Sequence, residues 1–294
     1  MTATGVVGAL DIGGTHVTAG RVQLESATVE PDARVRLEFT RGTTLLERIL
    51  EAANSVVTPE TRSFGVAAPG PFDYDAGVCL VSHKLPGLYG IDLRRELASA
   101  LGLAGEAVSF INDAEAFLLG EWWAGAARGH SRAVGITLGM GLGSAFLEQG
   151  RFVRSGPTVP ADGALYKLAF RGRPVEETIS RGALLARYGA DPNEGPDVEQ
   201  IAERGRSGEI PARRVFEQVA ADLGEFLAAP LEAFAPTCLV VGGSIARAWD
   251  LLEPSLVRAL ADRPPHVVRA VNIIDAPLLG AARHATVKPP QRNV

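Results

Sequence analysis

Cysteine is almost missing from this chain of 294 residues: only Cys79 and Cys238 occur, far apart and without CxxC spacing. Two such thiols exclude a disulfide framework, and with His83 they do not supply the tight set of about four ligands that a structural zinc site needs. Basic runs are missing as well. The formal net charge is −5 and no segment concentrates Lys and Arg, so neither a nucleic-acid footprint nor attraction to an anionic membrane is expected. No helix-turn-helix candidate precedes the first strand. No apolar run reaches the roughly 18 residues of a membrane helix, and the chain enters a strand within its first few residues, so neither a span nor a signal peptide is expected. These absences predict a cytoplasmic protein.

The length exceeds the roughly 150 residues typical of one domain, which predicts two. What the sequence has in quantity is glycine, placed where strand-like runs end. In "ALDIGGTHVTAGRV" (residues 9–22), a short apolar run is followed by Asp11, then Gly13, Gly14 and Thr15, then an alternating second strand. Taken alone, the turn reads either as a β-hairpin connection or as a phosphate cradle. Glycines there can take positive φ or allow close approach to their amides, and the Thr15 hydroxyl is a further donor.

The same pattern recurs in "AVGITLGMGLGSAFLEQGRFV" (residues 133–153), again strand, glycine turn and strand. Gly139, Gly141 and Gly143 imitate a dinucleotide fingerprint, but a strand follows where that motif needs a helix. Two such units suggest two related α/β halves facing a cleft. Between them, residues 63–73 read as a strand ending in a Pro-Gly-Pro turn at Gly70. Residues 107–125 read as a strand followed by a helix with Asn112 as N-cap and Glu115 completing a capping box. That leaves Asp113 as a carboxylate at a strand end and helix start, accessible to a reacting group. Residues 237–260 read as an apolar strand, a turn at Gly242 and Gly243, and an amphipathic helix whose start suits an adenosine or phosphate. Residues 278–285 read as a small-residue packing helix, and the tail beyond it as a loose end.

In order along the chain, "DIGGT" (11–15), "APGP" (68–71), "LPG" (85–87), "NDAEAFLLGE" (112–121), "LGMGLGS" (138–144), "EETIS" (176–180) and "VVGGS" (240–244) resemble the ROK family (repressor, open reading frame, kinase) of the actin-like ATPase superfamily over nearly the whole chain. The lack of a DNA-binding segment resembles its kinase branch. The resemblance implies two actin-like, ribonuclease H-like α/β domains with an interdomain cleft. The first is a small domain over 1–115 rejoined by a C-terminal helix at about 278–294, and the second a large domain over 116–277.

It further implies ATP-dependent phosphorylation of a hexose or amino-hexose hydroxyl, the 6-OH, with a catalytically weak sugar- or nucleotide-binding sensor as the alternative. Asp113 would be the general base and Asn112 would bond a neighbouring sugar hydroxyl, with Gly70 also on the substrate side. Gly13, Gly14 and Thr15, together with Gly139, Met140, Gly141 and Gly143, would hold ATP phosphates, and Gly242, Gly243 and Ser244 would lie beside the adenosine. Asp11 would assist Mg²⁺ through water, since this ion keeps several waters and takes few carboxylates. The partners implied are a sugar and ATP, with no nucleic acid and no membrane; a homodimer is left open.

The sugar side departs from the family pattern. The Glu-x-x-His signature is absent near residues 159–170, where Ala164 stands in the glutamate's place and Asp162 is its candidate replacement, and the cysteine-rich zinc segment is absent too. Lys84 precedes "LPG" where the family has asparagine, and Met140 replaces threonine. Glu176 is the best match to a sugar-contacting acid and reads equally as a helix-start residue. The nucleotide side is therefore expected to be intact, the sugar side remodelled, and structural zinc absent.

Overall fold

The computed structural model describes residues 5–38, 44–80, 85–260 and 264–287. It divides into two compact units, residues 1–125 with 274–294 and residues 126–273. The boundary expected between 115 and 116 falls inside a helix of the first unit.

In the first unit, β1 (Val6–Ile12), β2 (His16–Gln23) and β3 (Thr28–Glu38) form an antiparallel meander, and β4 (Phe64–Ala68) and β7 (Val108–Asn112) join β1 in parallel. The sheet order is β3-β2-β1-β4-β7. A small hairpin, β5 (Phe72–Asp73) with β6 (Val78–Cys79), follows β4. Every residue of β4 is buried, as a continuously apolar sequence predicts for a parallel strand covered on both faces. Helices α1 (Leu45–Asn54) and α2 (Leu93–Leu101) help enclose a core that includes Leu10, Ile49, Phe64, Leu93 and Phe110.

The other helices of this unit are α3 (Asp113–Ala124) and α8 (Ala276–Thr286). They meet through glycine: a Cβ on Gly120 would lie 2.0 Å from the Ala276 carbonyl oxygen, and one on Gly280 would lie 1.8 Å from that of Ala116. A Cβ on Gly65 of β4 would likewise lie 2.1 Å from the Ala281 oxygen. The small-residue helix read from the sequence is thus a packing element whose backbone lies directly against its neighbours. It starts two residues earlier than expected.

In the second unit, β8 (Arg132–Leu138), β9 (Leu142–Glu148) and β10 (Arg151–Phe152) are antiparallel neighbours, and β11 (Ala169–Phe170) with β12 (Arg173–Pro174) make a separate small hairpin. Helices α4 (Arg181–Tyr188), α5 (Val198–Arg206) and α6 (Ile210–Phe234) lead to β13 (Cys238–Gly242), α7 (Trp249–Ala259) and β14 (His266–Arg269). The sheet order β10-β9-β8-β13-β14 repeats the antiparallel-then-parallel plan of the first unit. Its core includes Phe146, Phe216, Leu227, Phe234 and Val241. Among the described residues, no helix is long and apolar enough to cross a membrane.

Candidate active site

In the first unit, parallel pairing sets Asp11 opposite Ala67 and Ala68 opposite Asn112, so the C-terminal ends of β1, β4 and β7 share one edge of the sheet. Asn112 is the N-cap of α3: its Oδ1 accepts from the amides of Ala114 at 3.0 Å and Glu115 at 3.3 Å. Its Nδ2 donates to Tyr74 Oη at 3.1 Å, and Tyr74 donates onward to the Ala68 carbonyl at 3.1 Å. Tyr74 thus fixes the Asn112 side chain, a role the sequence does not announce because Tyr74 lies in the connection between β5 and β6. A Cβ on Gly70 would approach the same tyrosine oxygen at 3.5 Å.

Asp113 is the first residue of α3, and its Oδ1 accepts from the Ala114 amide at 2.9 Å. Its charge reaches Asp11. Burial first, and repulsion from Asp113 second, push the Asp11 carboxyl up from 3.8 to about 7, with Arg36 opposing them. A desolvated acid facing another acid remains short of positive charge despite Arg36, and a divalent cation at Asp11 would supply it. The residues present therefore fit Mg²⁺.

The turn that follows differs from expectation. Neither Gly13 nor Gly14 is in the left-handed region. Crowding explains Gly13 instead: its amide donates to the His16 carbonyl at 2.9 Å, and a Cβ there would lie 3.1 Å from that oxygen. Burial and then the Arg36 charge hold His16 below the ordinary histidine range, so the ring is neutral at pH 7. Arg36 Nη2 lies 3.3 Å from His16 Nδ1 and has only protons to give, so Nδ1 is the acceptor and the proton is on Nε2. The Thr15 hydroxyl, 3.1 Å from the same nitrogen, therefore donates inward to His16 and presents its lone pairs outward. With the Gly13 amide committed to His16, an anion at this turn would have to be met by the amides that follow it.

In the second unit, Gly139 to Leu142 make the turn between β8 and β9, closed by the Gly139 amide donating to the Gly141 carbonyl at 3.0 Å. Glu176 braces it: Oε1 accepts from the Leu142 amide at 2.8 Å, and a Cβ on Gly141 would fall 2.0 Å from that oxygen. The Arg181 amide holds the Gly139 carbonyl at 2.8 Å. Gly143 pairs with Thr137 inside the β8–β9 ladder, beyond the turn itself. Met140 is 65% exposed, so it does not pack beneath the turn.

Gly242 pairs with Thr137 at the end of β13. Gly243 follows at φ +85° with a would-be Cβ 2.3 Å from the Leu138 oxygen, so conformation and close approach both require glycine there. Ser244 stands next to Gly139, whose would-be Cβ is 3.6 Å from the Ser244 hydroxyl. A short 3₁₀ turn over Ile245–Ala248 intervenes before α7, so the α-helix expected directly after this glycine pair begins only at Trp249.

The remaining candidates are dispersed. Asp162 has φ +61° and pairs with Lys167 at 2.7 Å, its side chain 77% exposed. Ser144 fixes the loop around it by donating to the Gly163 carbonyl at 2.6 Å and accepting from the Leu165 amide at 2.9 Å. Lys84 and His83 lie outside the described residues.

Comparison with known proteins accords with this architecture. The glucokinase of Thermotoga maritima is 26% identical over 295 residues, spanning 92% of each chain. An N-acetylmannosamine kinase of Salmonella paratyphi B is 28% identical over 292 residues, covering 93% of this chain and 96% of that protein. The crystal structure of a ROK family glucokinase from Streptomyces griseus, in complex with glucose and AMPPNP, matches with a TM-score of 0.74 at 24% identity, covering 95% of this chain and 99% of that one. The shared fold is therefore that of the ROK sugar kinases, two α/β units of actin-like plan. The ROK family pattern itself matches from residue 7 to residue 286, and this chain belongs to the ROK family.

Proposed function

We propose that this chain is an ATP-dependent sugar kinase, and that it transfers the γ-phosphoryl group of ATP to the 6-OH of a hexose or amino-hexose with Asp113 as general base. The observation that carries this reading is the pair of carboxylates, Asp11 and Asp113, at the strand ends of the first unit, where burial first and the Asp113 charge second push Asp11 up to about 7. Kinship to a glucokinase and to an N-acetylmannosamine kinase supports the substrate class.

Asp113 takes the proton of the sugar hydroxyl as its oxygen bonds the γ-phosphorus; the bond to the β,γ-bridging oxygen breaks and ADP leaves. Asn112 Oδ1 is committed to the helix cap and one Nδ2 hydrogen to Tyr74. Its second Nδ2 hydrogen is the donor assigned to a neighbouring sugar oxygen. The amides around Gly13, Gly14 and Thr15, and those around Gly139, Met140 and Gly141, are the donors assigned to nucleotide phosphates. Gly242, Gly243 and Ser244 are assigned to the adenosine. Mg²⁺, held near Asp11, neutralises developing phosphate charge when bound. Glu176, Gly70, Asp162 and Lys84 are assigned to the sugar side.

The test is ADP release at fixed ATP and Mg²⁺ across a panel of hexoses and amino-hexoses, with sugar phosphate measured instead when polyphosphate replaces ATP as donor. Saturable turnover of a sugar in that panel is expected. Saturable binding with no turnover of any sugar would replace this reading with the sensor.

A further inference from the structure

Strands β8, β13 and β14 run parallel and side by side, so the segments that enter them share one edge of the second sheet. His130 lies just ahead of β8, Cys238 is the first residue of β13, and His266, the first residue of β14, is its register partner. Strand order alone thus assembles a thiol and two imidazoles. Sequence spacing hid the set, because Cys238 is far along the chain from both His130 and His266.

The ligating atoms of these three residues all lie within 4.8 Å of one another. The two imidazole rings stack with centroids 5.9 Å apart and planes 24° from parallel. Tetrahedral zinc, with Zn–S about 2.3 Å and Zn–N about 2.0–2.1 Å, sets its donors about 3.3–3.6 Å apart. Reaching that spacing from within 4.8 Å calls for small rotations of the two histidine rings, His266 being exposed and His130 half-buried, while Cys238 is fully buried and fixed by its strand.

A neighbour also selects the tautomer of His130. The Thr237 hydroxyl donates its one proton to the Arg132 carbonyl at 3.0 Å, so toward His130 Nδ1, also at 3.0 Å, it can only accept. Nδ1 therefore carries the ring proton and the metal-competent lone pair is on Nε2. This is the arrangement in which an outer partner orients a ligating histidine.

We propose that the second unit carries a His₂Cys site for a zinc-like, thiophilic divalent cation, formed by His130, Cys238 and His266. One thiolate and two imidazoles suit Zn²⁺ and select against Mg²⁺ and Ca²⁺, which prefer oxygen. Three protein ligands leave the fourth position to water, so the ion is exchangeable rather than a closed structural zinc. Cys238 and Gly242 stand at opposite ends of β13, about 13 Å apart at about 3.3 Å per residue, so an ion here does not compete with a ligand at the glycine turns.

The test uses the full chain, washed with chelator and titrated with Co²⁺ as a spectroscopic stand-in for Zn²⁺. One Co²⁺ per chain is expected, with thiolate-to-metal charge-transfer absorption that Zn²⁺ abolishes and ATP does not. Cys79→Ala should keep the band and Cys238→Ala should lose it. The exposed His266 is the safe second probe: His266→Ala should bind at least about tenfold more weakly, and Thr237→Val, which removes the orienting acceptor, about 10- to 100-fold more weakly. A wild type without the band, a band surviving in Cys238→Ala, or His266→Ala binding as tightly as wild type overturns the proposal.

Discussion

Replacing Asp11 by asparagine should stabilise the folded chain at neutral pH, even though the residue is assigned to the reaction. Asp11 titrates at about 7 in the folded protein against 3.8 for an ordinary aspartate, chiefly through burial and then through the Asp113 charge. Between those two values the native state holds a proton that the unfolded chain has released, so stability falls as pH rises. Below 3.8 the carboxyl is neutral in both states and nothing is lost; above about 7 it is charged in both and the loss is complete. At about 1.36 kcal/mol per pH unit, that interval corresponds to about 4 kcal/mol. Asparagine has nearly the same shape and no charge to desolvate. Urea unfolding in chelator should therefore find Asp11→Asn close to wild type at the acid end of the interval and more stable by up to about 4 kcal/mol above its upper end. Asp113→Asn should lower the Asp11 midpoint without restoring it, because burial is the larger cause. A stability difference between Asp11→Asn and wild type that does not change with pH would refute the reasoning.

Asp113→Asn should reduce kcat by about 10²- to 10⁴-fold with little change in nucleotide affinity and a melting temperature no lower than wild type, since it removes the base, keeps a residue suited to a helix start and relieves the repulsion on Asp11; steady-state ADP release and a thermal melt check this. Gly280→Ala gains about 1 kcal/mol of helix propensity but drives a methyl into the Ala116 carbonyl, 1.8 Å away, so the overpacking cost of about 1–3 kcal/mol or more should win and the melting temperature should fall. Glu176→Ala strips the acceptor from the buried Leu142 amide and should cost about 1–3 kcal/mol in denaturant unfolding. Glu176→Gln keeps an acceptor there; wild-type stability with a raised KM for sugar is expected, and an unchanged KM would leave Glu176 only as a brace of the turn.

The fold was largely legible because its decisive strands are either fully buried or regularly alternating. "FGVAA" in β4 and "CLVVG" in β13 are buried at every residue, and their apolar runs leave little else to propose. The cap at Asn112 was legible for the same local reason, a polar residue between an apolar strand and a helix. What could not be read depends on contacts between distant segments. The Tyr74 bond to Asn112 links a connection after β4 to the end of β7, and the Glu176 bond to Leu142 crosses from a 3₁₀ turn to a hairpin. No periodicity carries such pairs. The Thr15 hydroxyl was misread for a related reason: its proton goes to His16, whose tautomer is decided by Arg36 on the neighbouring strand β3.

The two units answer one structural problem with different chemistry. Each places a tight turn between the first two strands of a mixed sheet, and in each a side chain at the glycine would crowd a neighbour: the His16 carbonyl beside Gly13, the Glu176 carboxylate beside Gly141. The first unit sets two coupled acids, Asp11 and Asp113, at the same strand ends. Only the second adds a neighbouring glycine, Gly243, held left-handed against Leu138. Backbone amides cost little to present, because a turn closed by only some of its own N–H groups, those of Gly13 and Gly139 here, need not desolvate a charge. A half-buried acid beside another acid is costly, and at about 1.36 kcal/mol per pH unit the raised Asp11 accounts for about 4 kcal/mol at neutral pH. Packing elsewhere must offset that cost, and the first unit has an evident source in the glycine-mediated contact of α3 with α8, since α3 is the helix that carries Asp113. Loosening that contact should therefore shift the titration of Asp11 as well as the melting temperature, because Asp113 moves with α3. Gly280→Ala tests the coupling: an Asp11 midpoint unchanged in a measurably destabilised variant would show that the helix pair supports stability without setting the distance between the two acids.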